Sequence, residues 1–530
     1  MMNRTLLGAA MVVLLPWSAG AETLTILHVN DVHSRIEPIT KYNNTCDPED
    51  DAAGECFGGA ARLMSAIAAE KATADGPVLV LDGGDQFQGS LFYTHYKGEA
   101  AADVMNAIGF DAMAVGNHEF DDGPEVLREF VDRVNFPVLM ANATIAPGSV
   151  LDGAVPASVV LEVEGERYGI IGVTPQGNAT LAAPGPDLTF SDPVPAVTAE
   201  IAALEADGVN RIILLSHSGL NVDERIAANV DGIDLIIGGH SHTLLSNEIE
   251  GAAAAYPVMV RSPGGSPTPI VQAGAYTKYL GRIDLTFDDN GVVTGLDGDT
   301  MLIDASVPKD AQMDELVVAL AEPLDSIREE VVGEAIEALD GSRENCRSRE
   351  CVMGSLVADA MLDYAADEGY QIAIQNGGGV RASIDAGPIT MGDVLTVLPF
   401  QNTIATFKFT GQGIVDALEH GVSGVEDGSG RFPQLAGLRM VVDLSVPAGE
   451  GRVQRVEVKL GDGWSPIDPA ATYGVVTNNF MRQGGDGYSG FAEFGVDAYD
   501  YGPGLERVFA DYLGKIGPVT PKVHGRVTVE

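Results

Sequence analysis

Basic residues are scarce in this sequence of 530 residues: 31 Lys and Arg face 76 Asp and Glu, a formal charge of −45. A surface of that sign repels polyanions, which argues against a general nucleic-acid binder. An anionic small molecule is admissible only where metal ions or clustered Arg reverse the local field. Cysteine is rare, with four in the chain, so a disulfide-dense scaffold is excluded. Beyond residue 21 no stretch approaches the roughly 18 uninterrupted apolar residues of a membrane-spanning helix. Repeats and low-complexity tracts are absent. Hydrophobic residues nevertheless make up 45%, enough for sizeable cores, so wholesale disorder is excluded. At roughly 100–200 residues per domain, two large domains or three ordinary ones are expected.

The segment 1–21 reads as a secretory signal. Arg4 supplies a positive start, Leu6 to Leu15 an apolar stretch, and Ala19-Gly20-Ala21 an A-x-A cleavage site. The C-terminus, Pro521 to Glu530, is polar and lacks the hydrophobic tail of a lipid-anchor signal. The mature chain is therefore expected to be periplasmic or secreted, with no stable membrane anchor. In an oxidising compartment four cysteines imply two disulfides, and spacing pairs Cys46 with Cys56 and Cys346 with Cys351. Two other pairings are formally open.

From Thr23 to about Ile303 short apolar runs alternate with helical or loop segments, the pattern of an α/β layered domain, expected over 22–308. Over 309–334 acidic residues interleave with Leu316, Val317, Leu320, Leu324 and Ile327 at helical spacing, which predicts a linker helix and hinge. Pro323 is expected to kink or end it. A second α/β region, 335–530, has its own strands and Gly-rich loops.

Five apolar strands of the first region each deliver Asp, Asn or His at their C-terminal ends. Leu24–Val29 runs into Asn30-Asp31-Val32-His33, Val78–Leu81 into Asp82-Gly83-Gly84-Asp85, and Ala112–Val115 into Gly116-Asn117-His118-Glu119. Ile212–Leu215 runs into Ser216-His217, and Ile233–Ile237 into Gly238-Gly239-His240-Ser241-His242. Ligands of open α/β sheets gather at such ends. Carboxylate, amide and imidazole donors suit divalent ions, and a carboxylate such as Asp85 can bridge two. Two ions about 3.5–4 Å apart clamp both oxygens of a phosphoryl displacement and make hydroxide available near neutral pH. Each motif alone is weak, since an Asp-x-His or a Gly-Gly-His is more often an ordinary turn. Together they hold five of the nine His in the chain. His28, His95, His420 and His524 read as structural.

The strings Asp31-Val32-His33, Gly84-Asp85, Gly116-Asn117-His118-Glu119, His217 and Gly239-His240-Ser241-His242, in this order, resemble the calcineurin-like metallophosphoesterases. Gly83-Gly84-Asp85-Gln86-Phe87-Gln88-Gly89 and Asn376-Gly377-Gly378-Gly379-Val380-Arg381 narrow the resemblance to the 5′-nucleotidase family, across both regions. It implies a four-layer α/β sandwich joined by a helix to a C-terminal α/β nucleotide-binding domain, with domain rotation between them. It also implies two divalent ions, zinc first, with manganese or cobalt also compatible. Asp31, His33 and His242 would hold one ion and Asn117, His217 and His240 the other, with Asp85 bridging. Many members carry Asn or Gln in place of His242, which leaves the first ion's preference open.

The same resemblance makes His118 the residue facing the scissile phosphate, oriented by Asp121, although Asp121-Asp122-Gly123-Pro124 also looks like a helix start. Arg35, Arg347 and Arg381 would bind phosphate, Phe400 and Phe480 would sandwich the base, Asp486 would take the ribose hydroxyls, and Asn376 the base or a neighbouring loop. The implied function is hydrolysis of nucleoside 5′-monophosphates such as AMP by a metal-activated hydroxide. ADP, ATP or UDP-sugars are the alternative substrates. A nucleotide-binding or adhesion protein with vestigial catalysis would have lost Asp31, Asp85, Asn117 or His217, and all are present. The expected partner is a nucleotide, not a nucleic acid, with the chain a monomer or homodimer.

Overall fold

Alternate side chains of a strand point to opposite faces, and in the strand Glu22–Val29 both faces are apolar. Leu24 and Ile26 enter one interior with Leu79, Leu81, Ala112 and Ala114. Leu27 and Val29 enter another with Val80 and Met113. Burial on both sides is why these runs are continuously hydrophobic rather than alternating. In this computed structural model the described residues are 22–41, 43, 45–400, 402–426, 428–461, 463–500 and 502–529. The signal expected over 1–21 lies outside them.

Two six-stranded sheets face each other. The first runs Val293–Leu302, Tyr279–Phe287, Glu22–Val29, Val78–Asp82, Ala112–Ala114, Val138–Leu139. The second runs Val258–Arg261, Pro267–Val271, Leu235–Gly238, Ile212–Ser216, Glu166–Val173, Ser158–Val163. Within each, four successive strands are parallel. Leu24, Ile26, Leu79 and Leu81 meet Tyr168, Ile213, Leu215 and Ile237 between the sheets. The helices Ala60–Thr73, Glu99–Ile108 and Pro124–Arg133 cover the outer face of the first sheet, and Pro193–Ala206 and Leu220–Asn229 that of the second. The result is the expected four-layer α/β sandwich.

The linker helix spans Ala311–Arg328, capped by Asp310, whose carboxylate accepts from Gln312 N and Met313 N, both at 3.0 Å. Of the two expectations for Pro323, that it ends the helix is not met: the helix continues past the proline to Arg328. Met313, Val317 and Leu324 are buried in the first domain's core on both sides of it, so tertiary packing outweighs the local break. Ile327 packs against the cores of both regions. The strand Val331–Ala335, which crosses the expected boundary between linker and second region at 334/335, pairs antiparallel with Gly387–Thr390.

The second region is built on a mixed sheet in the order Pro433–Ala436, Ile372–Asn376, Thr472–Asn478, Ile404–Thr410, Val496–Tyr499. The helices Val352–Ala365 and Leu505–Ile516 cover one face and Gly411–Gly421 the other. Both expected disulfides are formed, Cys46–Cys56 and Cys346–Cys351. Among the described residues no helix is long and apolar enough to cross a membrane.

Candidate metal centre and substrate cleft

Because the central strands of both sheets are parallel, their C-terminal ends share one edge, and Asp31, Asp85, Asn117, His217 and His240 follow those ends directly. The loops interlock through the backbone. Asp31 N donates to Gly84 O at 2.9 Å, His33 N to Asp85 O at 3.0 Å and Ser34 N to Gln86 O at 2.9 Å. His217 Nδ1 lies 2.7 Å from Gly83 O, and His240 N donates to the Asp31 carboxylate at 3.0 Å, which ties the two sheets together. Asp31, His33, Asp85, His240 and His242 all adopt positive φ, between 49° and 69°. Left-handed non-glycine residues cost about 1–3 kcal/mol each and cluster where function requires them. Gly84, at φ +98°, and Gly116 are required here for space: a Cβ would lie 2.7 Å from His217 Nδ1 at the first and 2.1 Å from Asp85 Oδ1 at the second.

The polar atoms converge. Asp31 Oδ1 lies 3.2 Å from His242 Nε2 and 3.7 Å from His217 Nε2. Asp85 Oδ2 lies 2.9 Å from His217 Nε2, 3.9 Å from His33 Nε2 and 4.0 Å from His118 Nε2. Burial opposes the charge on Asp31, but His242 and His217 outweigh it and hold the carboxyl down to about 2. Burial likewise opposes the charge on His217, while Asp85 and Asp31 lift it to about 10. Burial, with His217 beside it, lowers His240 to about 4.

Three features fit this cluster to cations. Ligand atoms of Asp31, His33 and His242 lie within 4.8 Å of one another, as do those of Asp85, His217 and His240. His33 and His242 face each other through Nε2 at 3.0 Å, while Nδ1 of His33 lies 3.2 Å from Phe87 O. With the Nδ1 proton committed to that carbonyl, His33 Nε2 is left as an acceptor facing His242 Nε2, a lone pair that a cation can take. The Asn117 side chain is fully buried, and its Oδ1 and Nδ2 have no hydrogen-bond partner among the described residues. A buried amide without partners is costly unless something else coordinates it.

His118 Nδ1 lies 2.7 Å from Asp121 Oδ2. Asp121 does not start the following helix: Pro124–Arg133 is preceded by Gly123 at the cap, with no side-chain cap bond. Burial works against a charged His118 ring, but Asp121 and Asp85 raise it to about 9. His33, Asp85 and His118 also form a group with ligand atoms within 4.8 Å, so geometry alone admits His118 as a ligand.

A cleft of about 900 Å³ opens above the cluster. His33, Asp85, His118, His240 and His242 line it from one side. Arg347, Asn376, Arg381, Phe400, Phe480 and Asp486 line it from the other, and Arg35 joins from the first domain. Asp31, Asn117 and His217 lie buried rather than on its wall, and Asp121 faces a separate cavity behind His118. The Arg35 guanidinium sits 5.1 Å from the Tyr276 ring centre, and its Nε and Nη1 have no hydrogen-bond partner among the described residues. Burial lowers Arg35 to about 10. Arg381 lies 5.4 Å from the Phe400 ring centre, and burial, with Arg343 and Arg381 nearby, lowers Arg347. Such a convergence of guanidinium groups suits an anion. Asn376 Nδ2 donates to Asp486 Oδ2 at 2.7 Å. Phe480 is 44% exposed, a large apolar ring left available to a ligand.

Several residues that shape the site carried no sequence signal. Tyr276, at φ +66°, packs edge-on against His242 and donates its N–H to Asp31 O at 2.9 Å. Asn479 Oδ1 accepts from Thr403 N at 3.2 Å and Asn479 N donates to Thr403 O at 3.0 Å, joining the loops that carry Phe480 and Phe400. These are contacts across 34 or more residues, invisible to local patterns. Asn30 was within reach of the motif: its amide donates to Asp31 Oδ2 at 2.7 Å and Gly274 O at 2.6 Å.

Residues 24–244 match the family described as calcineurin-like phosphoesterase, and residues 331–493 that described as 5′-nucleotidase, C-terminal domain. A 5′-nucleotidase of Homo sapiens is 38% identical, covering 99% of this chain and 93% of its own length. A snake venom 5′-nucleotidase of Gloydius brevicauda is 36% identical, covering 96% and 89%. Among solved structures, a 5′-nucleotidase precursor of Thermus thermophilus is 40% identical with a TM-score of 0.64, covering 96% of this chain and 99% of its own. The NAD nucleotidase of Haemophilus influenzae is 27% identical with a TM-score of 0.74, at the same coverage. The chain belongs to the 5′-nucleotidase family of metal-dependent phosphomonoesterases.

Proposed function

We propose that the protein hydrolyses nucleoside 5′-monophosphates, AMP among them, to nucleoside and phosphate outside the cytoplasm. The observation that carries this is a single cleft walled by an Asp/His cluster on one side and by arginines and exposed aromatics on the other. Formed disulfides and the relatives from venom support an exported protein.

Asp31, His33 and His242 would hold one ion, Asn117, His217 and His240 the other, and Asp85 both; imidazole-rich donor sets of this kind favour zinc. When bound, the pair supplies a nucleophile from water near neutral pH and neutralises phosphoryl charge. Arg35, Arg347 and Arg381 bind the phosphate oxygens and hold phosphorus over the cluster. With Nδ1 committed to Asp121, His118 presents Nε2–H towards the charge that develops on the phosphoryl group. Phe400 and Phe480 stack the base, and Asp486, steadied by Asn376, accepts from the ribose hydroxyls. Stacking contributes about 1–3 kcal/mol per base, so Phe480→Ala is expected to raise KM for AMP roughly 5- to 150-fold with kcat nearly unchanged. Steady-state kinetics on AMP check it.

A second reading, hydrolysis of pyrophosphate-linked or longer nucleotides, draws support from the cleft volume of about 900 Å³ and from the similarity to an NAD nucleotidase. Turnover of AMP, ADP, ATP and UDP-glucose with added zinc or manganese separates the two. AMP is expected to have the highest kcat/KM; a clear preference for ATP or UDP-glucose replaces the first reading by the second.

A further inference from the structure

Glu119 lies within the short turn His118–Phe120 and is fully buried, yet it takes no part in the mechanism above. Its carboxylate accepts four backbone N–H groups from two separate loops. Oε2 accepts from Asp85 N at 3.0 Å and Gly116 N at 2.6 Å. Oε1 accepts from Gln86 N at 2.8 Å and Phe87 N at 3.2 Å. Four acceptor sites is the full capacity of one carboxylate, and all four are taken by backbone N–H groups. Three of the donors belong to the loop after Val78–Asp82 and the fourth to the loop after Ala112–Ala114. The first loop carries Asp85 in its left-handed conformation, and the second carries Asn117. His118 N completes the junction by donating to Asp85 Oδ1 at 2.9 Å.

We propose that Glu119 is a positioning residue for the paired-ion site: by clamping the Asp85 loop to the Asn117 loop it sets the spacing between the shared carboxylate and the second ion's amide ligand. The proposal rests on the ligand set given under Proposed function. A glutamine cannot substitute, because one side of its head is an NH2 facing N–H donors. An aspartate keeps the charge but reaches less far, so it cannot serve both loops at full length.

The test compares wild type, Glu119→Gln and Glu119→Asp as full-length protein. Zinc affinity is measured by competition with a chromophoric chelator, alongside the melting temperature of the metal-free forms and kcat and KM for AMP. Residues that orient metal ligands typically contribute 10–100-fold in metal affinity. Both variants are expected to bind zinc at least about tenfold more weakly, with kcat lowered and KM for AMP within about twofold. The Asp variant, which keeps the carboxylate, is expected to melt, metal-free, above the Gln variant and below wild type. Wild-type affinity and kcat in a folded variant would overturn the proposal. So would failure of both variants to fold, or affinity losses that only track lowered melting, since each assigns Glu119 to the fold alone. If wild type itself binds no zinc, the ligand set fails rather than Glu119.

Discussion

Asp85→Asn is expected to reduce AMP turnover by more than about 10⁴-fold, the scale seen when a group on which the others depend is removed. Asparagine keeps the shape and an acceptor for the His118 N–H, which lies 2.9 Å from Asp85 Oδ1. It removes the negative charge that faces His217 at 2.9 Å, His33 at 3.9 Å and His118 at 4.0 Å. A carboxylate shared by two ions is the one ligand whose loss weakens both half-sites together. Bound zinc, measured by elemental analysis after dialysis, is expected to fall from two ions per chain to one or fewer. An Asp85→Asn protein that keeps two ions and turns over AMP normally would remove Asp85 from the centre.

His118→Ala is expected to act differently. Removing a donor aimed at developing charge costs about 10²–10³-fold in kcat, while KM and the zinc content stay near wild type. The separation matters because His118 Nε2 lies close enough to His33 and Asp85 to join a ligand group. Its other nitrogen, 2.7 Å from Asp121, favours the orienting arrangement of a catalytic imidazole. Asp121→Asn should then lower kcat by a smaller factor, about tenfold, with zinc content unchanged. Loss of an ion in His118→Ala would make the residue a ligand instead.

The convergence of these donors was legible in the sequence because each follows an apolar run within a few residues. A buried parallel strand leaves a strong local signature, and its C-terminal end is where function collects. The two disulfides were legible from spacing within one short loop each. Pro323 as a helix end misled because helix breaking is a local preference, whereas the helix Ala311–Arg328 is fixed by Met313, Val317 and Leu324 in a distant core. The second domain's candidate residues came only through family resemblance: two arginines in a six-residue loop, or a Phe after Asn478-Asn479, have no periodicity to mark them. Tyr276, Asn479 and Glu119 matter through hydrogen bonds between loops, and no spacing rule predicts those. The choice of Asp121 as the partner of His118 rather than a helix cap was open in the sequence. Gly123 at the cap position and the 2.7 Å contact give the geometry its answer.

Everything turns on whether Asp31, His33, Asp85, Asn117, His217, His240 and His242 hold paired ions. Anomalous diffraction at the zinc edge from crystals of the zinc-loaded protein tests this most directly. Two peaks about 3.5–4 Å apart are expected, with the Asp85 carboxylate between them. A single peak, peaks bound by other residues, or no anomalous signal at this edge of the sheets would contradict it.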